Sequence, residues 1–444
     1  MSRHVSRRDL LRLTGLAGAR TRFPWLLAGA PVPLLLPARA PSSQSSDVTL
    51  KIIDTTESHG YALAQIAPMW EEKTGVKVVV EQFPYDQTYE KEVLTLSTGT
   101  GEYDLIAHDA IWPALFRQNE WLLNLNDFQE DPDLPKLDLE GFATGLVDAY
   151  DRDGDYLSSI PIDYTAIVMA YRKDLFEQAG ITEAPKTWEE FAAAAEKIHN
   201  PPDVYGWVWH GGEMDAGWTD WAVRVQGFTR PPDQPEHMVN TDGTGAVFAD
   251  HPYGVEALTL LQEATEWAPP GANGLSYAGA SDTFLQGKAG MFISWQVFFA
   301  DYEDTAKSTV AGKVGYAPPP WSEEQHNYIG GWRLGIASAS AHPTEAYQFL
   351  QWIGTDEGQQ AMLENGSPTA YRSNALANPE WIAKYPVLSA MAELKPQPLR
   401  GATNYVEMEQ KIYDWLSLFY AGEVSAEEAI QRAQEEANAV FASS

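Results

Sequence analysis

From Val48 to Ile53 apolar and polar residues alternate, with Val48, Leu50 and Ile52 on one face, which predicts a β-strand. The spacing then widens to that of a helix from Tyr61 to Lys73, and Gly75 stops it. A β-branched run from Val76 to Glu81 predicts a second strand, Gln87 to Thr98 a helix, and Tyr103 to Ala107 a short buried strand. Strands alternating with helices predict an α/β fold whose parallel sheet is covered on both faces. Further along, Thr187-Trp-Glu-Glu190 has the form of a capping box opening a helix through Ile198, and Ser425-Ala-Glu-Glu428 opens another near the C-terminus. Asp151-Arg-Asp-Gly-Asp155 lacks the remaining ligand positions of a calcium loop, so a hairpin turn at Asp153-Gly154 is the better reading. No internal repeat is evident.

Length sets the scale of the molecule. The 444 residues exceed what one simple core needs and suggest two or three domains. The 62 acidic against 30 basic residues give a net charge of −32, which argues against nucleic acid or an anionic membrane surface as partner. The chain has no cysteine, so disulfides, zinc–thiolate sites, iron–sulfur clusters and thiol nucleophiles are excluded.

The first forty residues read as a targeting segment. Ser6-Arg7-Arg8-Asp9-Leu10-Leu11 resembles the twin-arginine export motif, Phe23 to Leu36 is apolar, and Ala38-Arg39-Ala40 fits a small-x-small cleavage site. With three prolines inside it, the apolar stretch is too short and too broken to span a bilayer. Residues 1–40 are therefore expected to be a signal peptide and 41–47 a spacer, with the mature protein exported to the periplasm or beyond.

Catalytic signatures are mostly missing. The chain contains no His-Glu-x-x-His, no Gly-x-Ser-x-Gly, no phosphate-binding loop and no Gly-x-Gly-x-x-Gly, and its nine histidines show no metal-ligand spacing. No cofactor is implied. A pair of carboxylates for glycoside hydrolysis stays open, because 62 acidic residues make such pairs uninformative. The informative excess is aromatic. Sixteen tryptophans occur, and Trp112, Trp209, Trp218, Trp221, Trp295, Trp321 and Trp332 lie in apparent loops beside Gly or Asp. Sugars offer flat C–H faces to such rings and hydroxyls to carboxylates, so a Trp-rich cleft edged with acids suits a carbohydrate. Trp188 and Trp352 lie in helical patterns and are read as packing residues.

Several stretches resemble the carbohydrate-binding family of extracellular solute-binding proteins that serve ABC importers, the family of maltose-binding protein. They are Leu157-Ser-Ser-Ile-Pro161 with Ile167-Val-Met-Ala-Tyr171-Arg-Lys-Asp-Leu-Phe176, Pro185-Lys-Thr-Trp-Glu-Glu-Phe191, and Phe284 through Trp295. Gly330-Gly-Trp-Arg-Leu-Gly-Ile336, Glu345-Ala-Tyr-Gln-Phe-Leu350 and Thr355-Asp-Glu-Gly358 continue the series in the family's order. The resemblance implies a two-lobed periplasmic-binding-protein fold with three hinge crossings, near 159–164, 328–336 and 367–376, and an interlobe ligand cleft. One lobe would combine 48–160 with 333–370, and the other 161–330 with 375–444. It implies a non-enzymatic monomer that captures a sugar, oligosaccharide or polyol and delivers it to a membrane permease. The residues matched to ligand-facing positions are Glu57, His59, His108, Asp109, Trp112, Asp163, Trp209, Trp295, Gly331, Trp332, Arg372 and Tyr405. A polyamine or another small polar solute, and a secreted glycoside-active enzyme, stand as alternatives.

Overall fold

The computed structural model describes residues 48–442 apart from 144, 232–236, 241–242 and 399–403. The expected signal peptide 1–40, its Arg7-Arg8 pair and the spacer 41–47 lie outside the described residues.

Two sheets organise the chain. The first is built from β1 (Thr49–Thr55), β2 (Lys77–Phe83) and β3 (Leu105–Asp109), joined by helices at Ser58–Thr74 and Tyr85–Thr98. In β1, Leu50, Ile52 and the adjacent Ile53 are all fully buried, because helices cover both faces of the sheet. After a hairpin of β4 (Arg152–Asp153) and β5 (Tyr156–Leu157), turning at Gly154 with φ 56°, comes β6 (Ser159–Pro161). The chain then enters the second sheet through β7 (Thr165–Arg172), β8 (Met291–Trp295), β9 (Val314–Ala317) and β10 (Asn327–Gly330). It returns to the first sheet as β11 (Trp332–Ile336) and supplies β12 (Pro396–Pro398) to the second.

The first sheet has the order β2-β1-β3-β11-β6. The expected parallel pairing holds for β2-β1-β3, but β11 runs antiparallel to both β3 and β6. The reason is directional: β11 arrives from the other sheet, so it enters against strands that leave toward it. The second sheet runs β12-β10-β7-β8, with β9 also on β7.

Local sequence explains most element boundaries. The Thr187 hydroxyl accepts a hydrogen bond from the Glu190 N–H and the Glu190 carboxylate accepts one from the Thr187 N–H, which starts the helix Trp188–Ile198. That helix buries Trp188, Phe191, Ala194, Ala195 and Ile198 along one stripe. Ser425 Oγ accepts from the Glu428 N–H at 3.2 Å where the helix Ala426–Ala442 begins. Trp218 and Trp221 depart from expectation: they belong to the buried helix Met214–Val225 and not to a loop. The Gly and Asp beside them imitate a turn, but Ala216, Ala222, Val223 and Val225 supply enough apolar contact to bury the helix on nearly every side. No helix among the described residues is long and apolar enough to cross a membrane.

Candidate functional site

In an open α/β sheet the strands end where the following helices begin, and the space outside those ends is where ligands are held. Here β1 ends at Thr55, β3 at Asp109, β8 at Trp295 and β10 at Gly330. All four residues line one cavity of about 380 Å³. Five helices also start on its wall, through Glu57, Tyr85, Glu213, Tyr277 and Tyr405, so the positive ends of their backbone dipoles face inward. Both sheets contribute, which places the cavity at their junction.

The floor is the passage between β10 and β11. Gly331 stands at φ +111°, and a Cβ there would lie 2.8 Å from the Asp163 carbonyl oxygen. Only glycine allows the return strand to press that closely on the outgoing one. The register then pairs Trp332 with Asp109, and the Trp332 carbonyl accepts from the Ile162 and Asp163 N–H groups at 3.0 and 3.2 Å. Trp332 stacks on His59 at 5.0 Å between centroids and takes the edges of Trp112 and Tyr85 at 5.5 and 6.0 Å.

On the opposite wall, Tyr277 donates from its hydroxyl to Asp215 Oδ2 at 2.7 Å, and Trp295 Nε1 donates to the Tyr277 hydroxyl at 3.2 Å. Tyr85 donates to Asp109 Oδ2 at 3.1 Å. The cavity therefore presents aromatic faces, held by hydrogen bonds through their polar ends, next to carboxylates.

The charges are strongly perturbed. Burial, then the nearby Asp215 charge, pushes the Asp109 carboxyl up to about 7. Burial also pushes Glu57 up to about 8, although the His59 charge pulls the other way. His59 loses by desolvation but gains more from Asp54, Asp163 and Glu57, and ends at about 9. Its ring lies buried among three acids, with Asp54 at 3.1 Å, Asp163 at 3.4 Å and Glu57 at 3.8 Å.

The comparisons with known proteins agree with this geometry. The family model for bacterial extracellular solute-binding proteins matches residues 54–360. The chain belongs to that family. Among curated relatives, a probable amino-acid ABC transporter periplasmic-binding protein of Sinorhizobium fredii is 23% identical over 76% of this chain and 75% of its own. The erythritol/L-threitol-binding protein of Mycolicibacterium smegmatis is 24% identical over 82% and 81%. Among solved structures, an ABC transporter solute-binding protein from Agrobacterium radiobacter, in complex with ribitol, superposes with a TM-score of 0.79. It is 26% identical and covers 89% of this chain and 100% of that one. The fold is thus the two-lobed α/β architecture of these solute-binding proteins, whose members bind substrates for import and are exported.

Of the residues matched from sequence, this solute-binding protein places Glu57, Asp109, Trp295, Gly331, Trp332 and Tyr405 on the cavity wall. His59, Trp112 and Asp163 lie immediately behind that wall, buried against Trp332 or His59. His108 is fully buried on β3 with its ring edge-on to Phe116, because alternation turns it away from the side that Asp109 faces. Trp209 packs against Trp207 and Tyr420 in the body of the second lobe. Arg372 is held by Asp356 at 2.9 Å, the Gly354 carbonyl at 2.9 Å and both oxygen types of Asp138, outside the cavity lining. Three aromatic walls escaped the sequence reading as site residues: Tyr85, Trp218 and Tyr277. So did the carboxylates of Asp215 and Glu409. Tyr85, Glu213, Asp215 and Tyr277 share one legible signal, since each falls within a residue or two of a helix start.

Proposed function

We propose that this protein captures a sugar or polyol in the cleft between its lobes and presents it to a membrane ABC permease. One observation carries the reading: Trp332, Trp295, Tyr85 and Tyr277 surround a space where carboxylates stand ready to accept hydroxyl hydrogen bonds. The erythritol/threitol-binding relative and the ribitol-bound structure support it. An amino-acid ligand, as in the Sinorhizobium relative's description, fits less well, because among the described residues no Lys or Arg lines the cavity to pair an α-carboxylate.

Capture works by closure about three crossings near 159–164, 328–336 and 367–376, with one lobe near 48–160 and 333–370 and the other near 161–330 and 375–444. Ligand that touches both lobes favours the closed state, and the permease recognises that state. The mature chain acts as an exported monomer, reaching its compartment through the Arg7-Arg8 signal. Turnover is not part of this function. A carboxyl near 7 in a cleft also suits a general acid, so the test must watch the ligand as well as the affinity. Titration calorimetry over a sugar and polyol panel should give one site per chain with the ligand recovered intact. Product in molar excess over protein would overturn the reading in favour of a glycoside-active enzyme.

A further inference from the structure

His59 sits where three parts of the chain meet. It is fully buried, the second residue of the helix Ser58–Thr74, and its ring stacks on Trp332 of β11. Its Nε2 is committed to Asp54 Oδ1 of β1 at 3.1 Å. Nδ1 is not committed. It faces Asp163 Oδ2 at 3.4 Å and Glu57 Oε2 at 3.8 Å, and completes a hydrogen bond with neither.

The two acids report on different places. Glu57 stands at the N-cap of the His59 helix and lines the cavity. Asp163 is fully buried in the first crossing, and the other two crossings close on it. Its N–H donates to the Trp332 carbonyl at 3.2 Å and its carbonyl accepts from Arg333 Nη1 at 3.1 Å, both in the second crossing. Burial raises the pKa of its carboxyl, while His59, the Thr369 hydroxyl of the third crossing and Arg333 each lower it. A group touched from all three crossings feels any rotation about them. Nδ1, for its part, can hold one hydrogen bond at a time. With Asp54 accepting at Nε2, a bare Nδ1 would set its lone pair against carboxylate oxygens. One proton therefore lies between Nδ1 and whichever acid it pairs with, held by the ring or by the acid. Glu57 and Asp163 are rivals for that single bond, one on the cavity side and one on the hinge side.

We infer that His59 is a positioning residue that couples the cavity to the crossings: its Nδ1 hydrogen bond is divided between Glu57 and Asp163 in the unliganded protein and passes to Asp163 when a ligand hydroxyl engages Glu57. This rests on the reading that the cleft captures a sugar or polyol by closing, and it supplies the two-state element that such coupling needs. A hydroxyl donating to Glu57 weakens that carboxylate's hold on Nδ1, and the ring turns toward Asp163. Trp332 follows, because it is stacked on the same ring. Ligand is thus felt at the crossings although Asp163 does not line the cavity.

The test is a double-mutant cycle on the full mature protein, read by calorimetry near neutral pH with erythritol, ribitol, D-mannitol, D-tagatose, glucose and maltose as probes. For the probe that binds tightest, Asp163→Asn should cost about tenfold in affinity in the wild-type background. In Glu57→Gln the same change should cost less than about threefold, since one rival is already gone; groups in one hydrogen-bond network couple at this level. Small-angle scattering should show Glu57→Gln more compact than wild type before any probe is added, a change that a scaffold role for His59 does not produce. Equal losses in both backgrounds, or an unchanged radius of gyration, would overturn the inference and leave capture in the cleft standing. If Asp163→Asn does not fold, wild-type protein labelled at histidine nitrogen decides the matter. The His59 Nδ1 resonance, assigned by its loss in His59→Gln, should shift when the bound probe is added, and an unmoved resonance would overturn the inference. Failure of every probe to bind would overturn the sugar or polyol reading as well.

Discussion

Trp332 is 3% exposed, with His59 against one face and Trp112 and Tyr85 meeting it edge-on, while part of its ring lines the cavity. Trp295 is only partly buried and is fixed mainly through Nε1. The two substitutions to Ala should therefore separate. Trp332→Ala should cost about 3–5 kcal/mol of stability, as large core truncations do, and weaken binding as well. Trp295→Ala should weaken binding by about tenfold or more, because stacking beyond burial is worth about 0.5–1.5 kcal/mol and burial adds to it. Its unliganded melting temperature should change much less. Paired affinity and melting measurements check this, and unchanged affinity in both variants would remove the rings from the site. At the same scale, three ionisable groups hold protons more tightly in the folded state: Asp109 to about 7, Glu57 to about 8 and His59 to about 9. Stability that depends on those protons is lost as pH rises through these values. His108 and His237, both held down by burial, act in the opposite direction, but only below their ordinary value of 6.5. The unliganded protein should thus lose melting temperature steadily from pH 6.5 to 9. Glu57→Gln should flatten the part of that decline below pH 8, and an unaltered profile would show that Glu57 does not hold its proton there.

Among the elements, the β10–Gly331–β11 passage does the most with the fewest residues. It carries the chain from one sheet to the other, brings Trp332 beside Asp109, and leaves no room for a side chain against Asp163. Gly331→Ala meets two penalties at once, a positive φ and a 2.8 Å contact with backbone that cannot rotate away. A loss of about 1–3 kcal/mol is expected from the backbone conformation alone. Displacing β11 should also lower ligand affinity, and chemical denaturation beside calorimetry would measure both. Gly99 offers a control: it too has a positive φ, but no neighbour lies within 4 Å of a Cβ there. If Gly331→Ala cost no more than Gly99→Ala, close approach at the passage would not be what selects glycine. The helices facing the cavity add a second feature at this scale. Their starts hold Glu57, Glu213 and Asp215, and the inward dipoles make carboxylates tolerable in a partly closed space.

At the scale of the whole molecule, acidity and export meet. A net charge of −32 on 444 residues keeps the surface away from anionic lipid and nucleic acid, and suits a chain that works outside the cytoplasm and meets its partner at a permease. Family membership places the protein among exported bacterial proteins. The route is the part to be tested. With Arg7 and Arg8 both changed to Lys, export should fall to background while folding of the mature domain is unaffected, as fractionation and immunoblotting would show. Undiminished export of that variant would remove the twin-arginine assignment.

Periodicity and turn chemistry are local, and so the strands and helices of the first sheet, the Thr187 capping box and the turn at Gly154 could all be read along the chain, within a few residues. The ordered series of family-like segments extended that reading to two lobes with a cleft. Where a side chain ends up relative to the cleft is a different kind of question. His108 and Asp109 are neighbours in sequence, yet the pleat sends one into the core and the other to the cavity. Arg372 looked like a ligand-facing cation until Asp138, 234 residues away, was found to hold it. Asp215 and Glu409 could not be paired from sequence, because nothing local connects a helix start in the middle of the chain with a helix near its end. The sequence determined the elements and the excess of rings and acids. Only the tertiary structure decided which of those rings and acids share one space, because convergence in a cleft depends on strand register and lobe packing, and neither is written in any short stretch of residues.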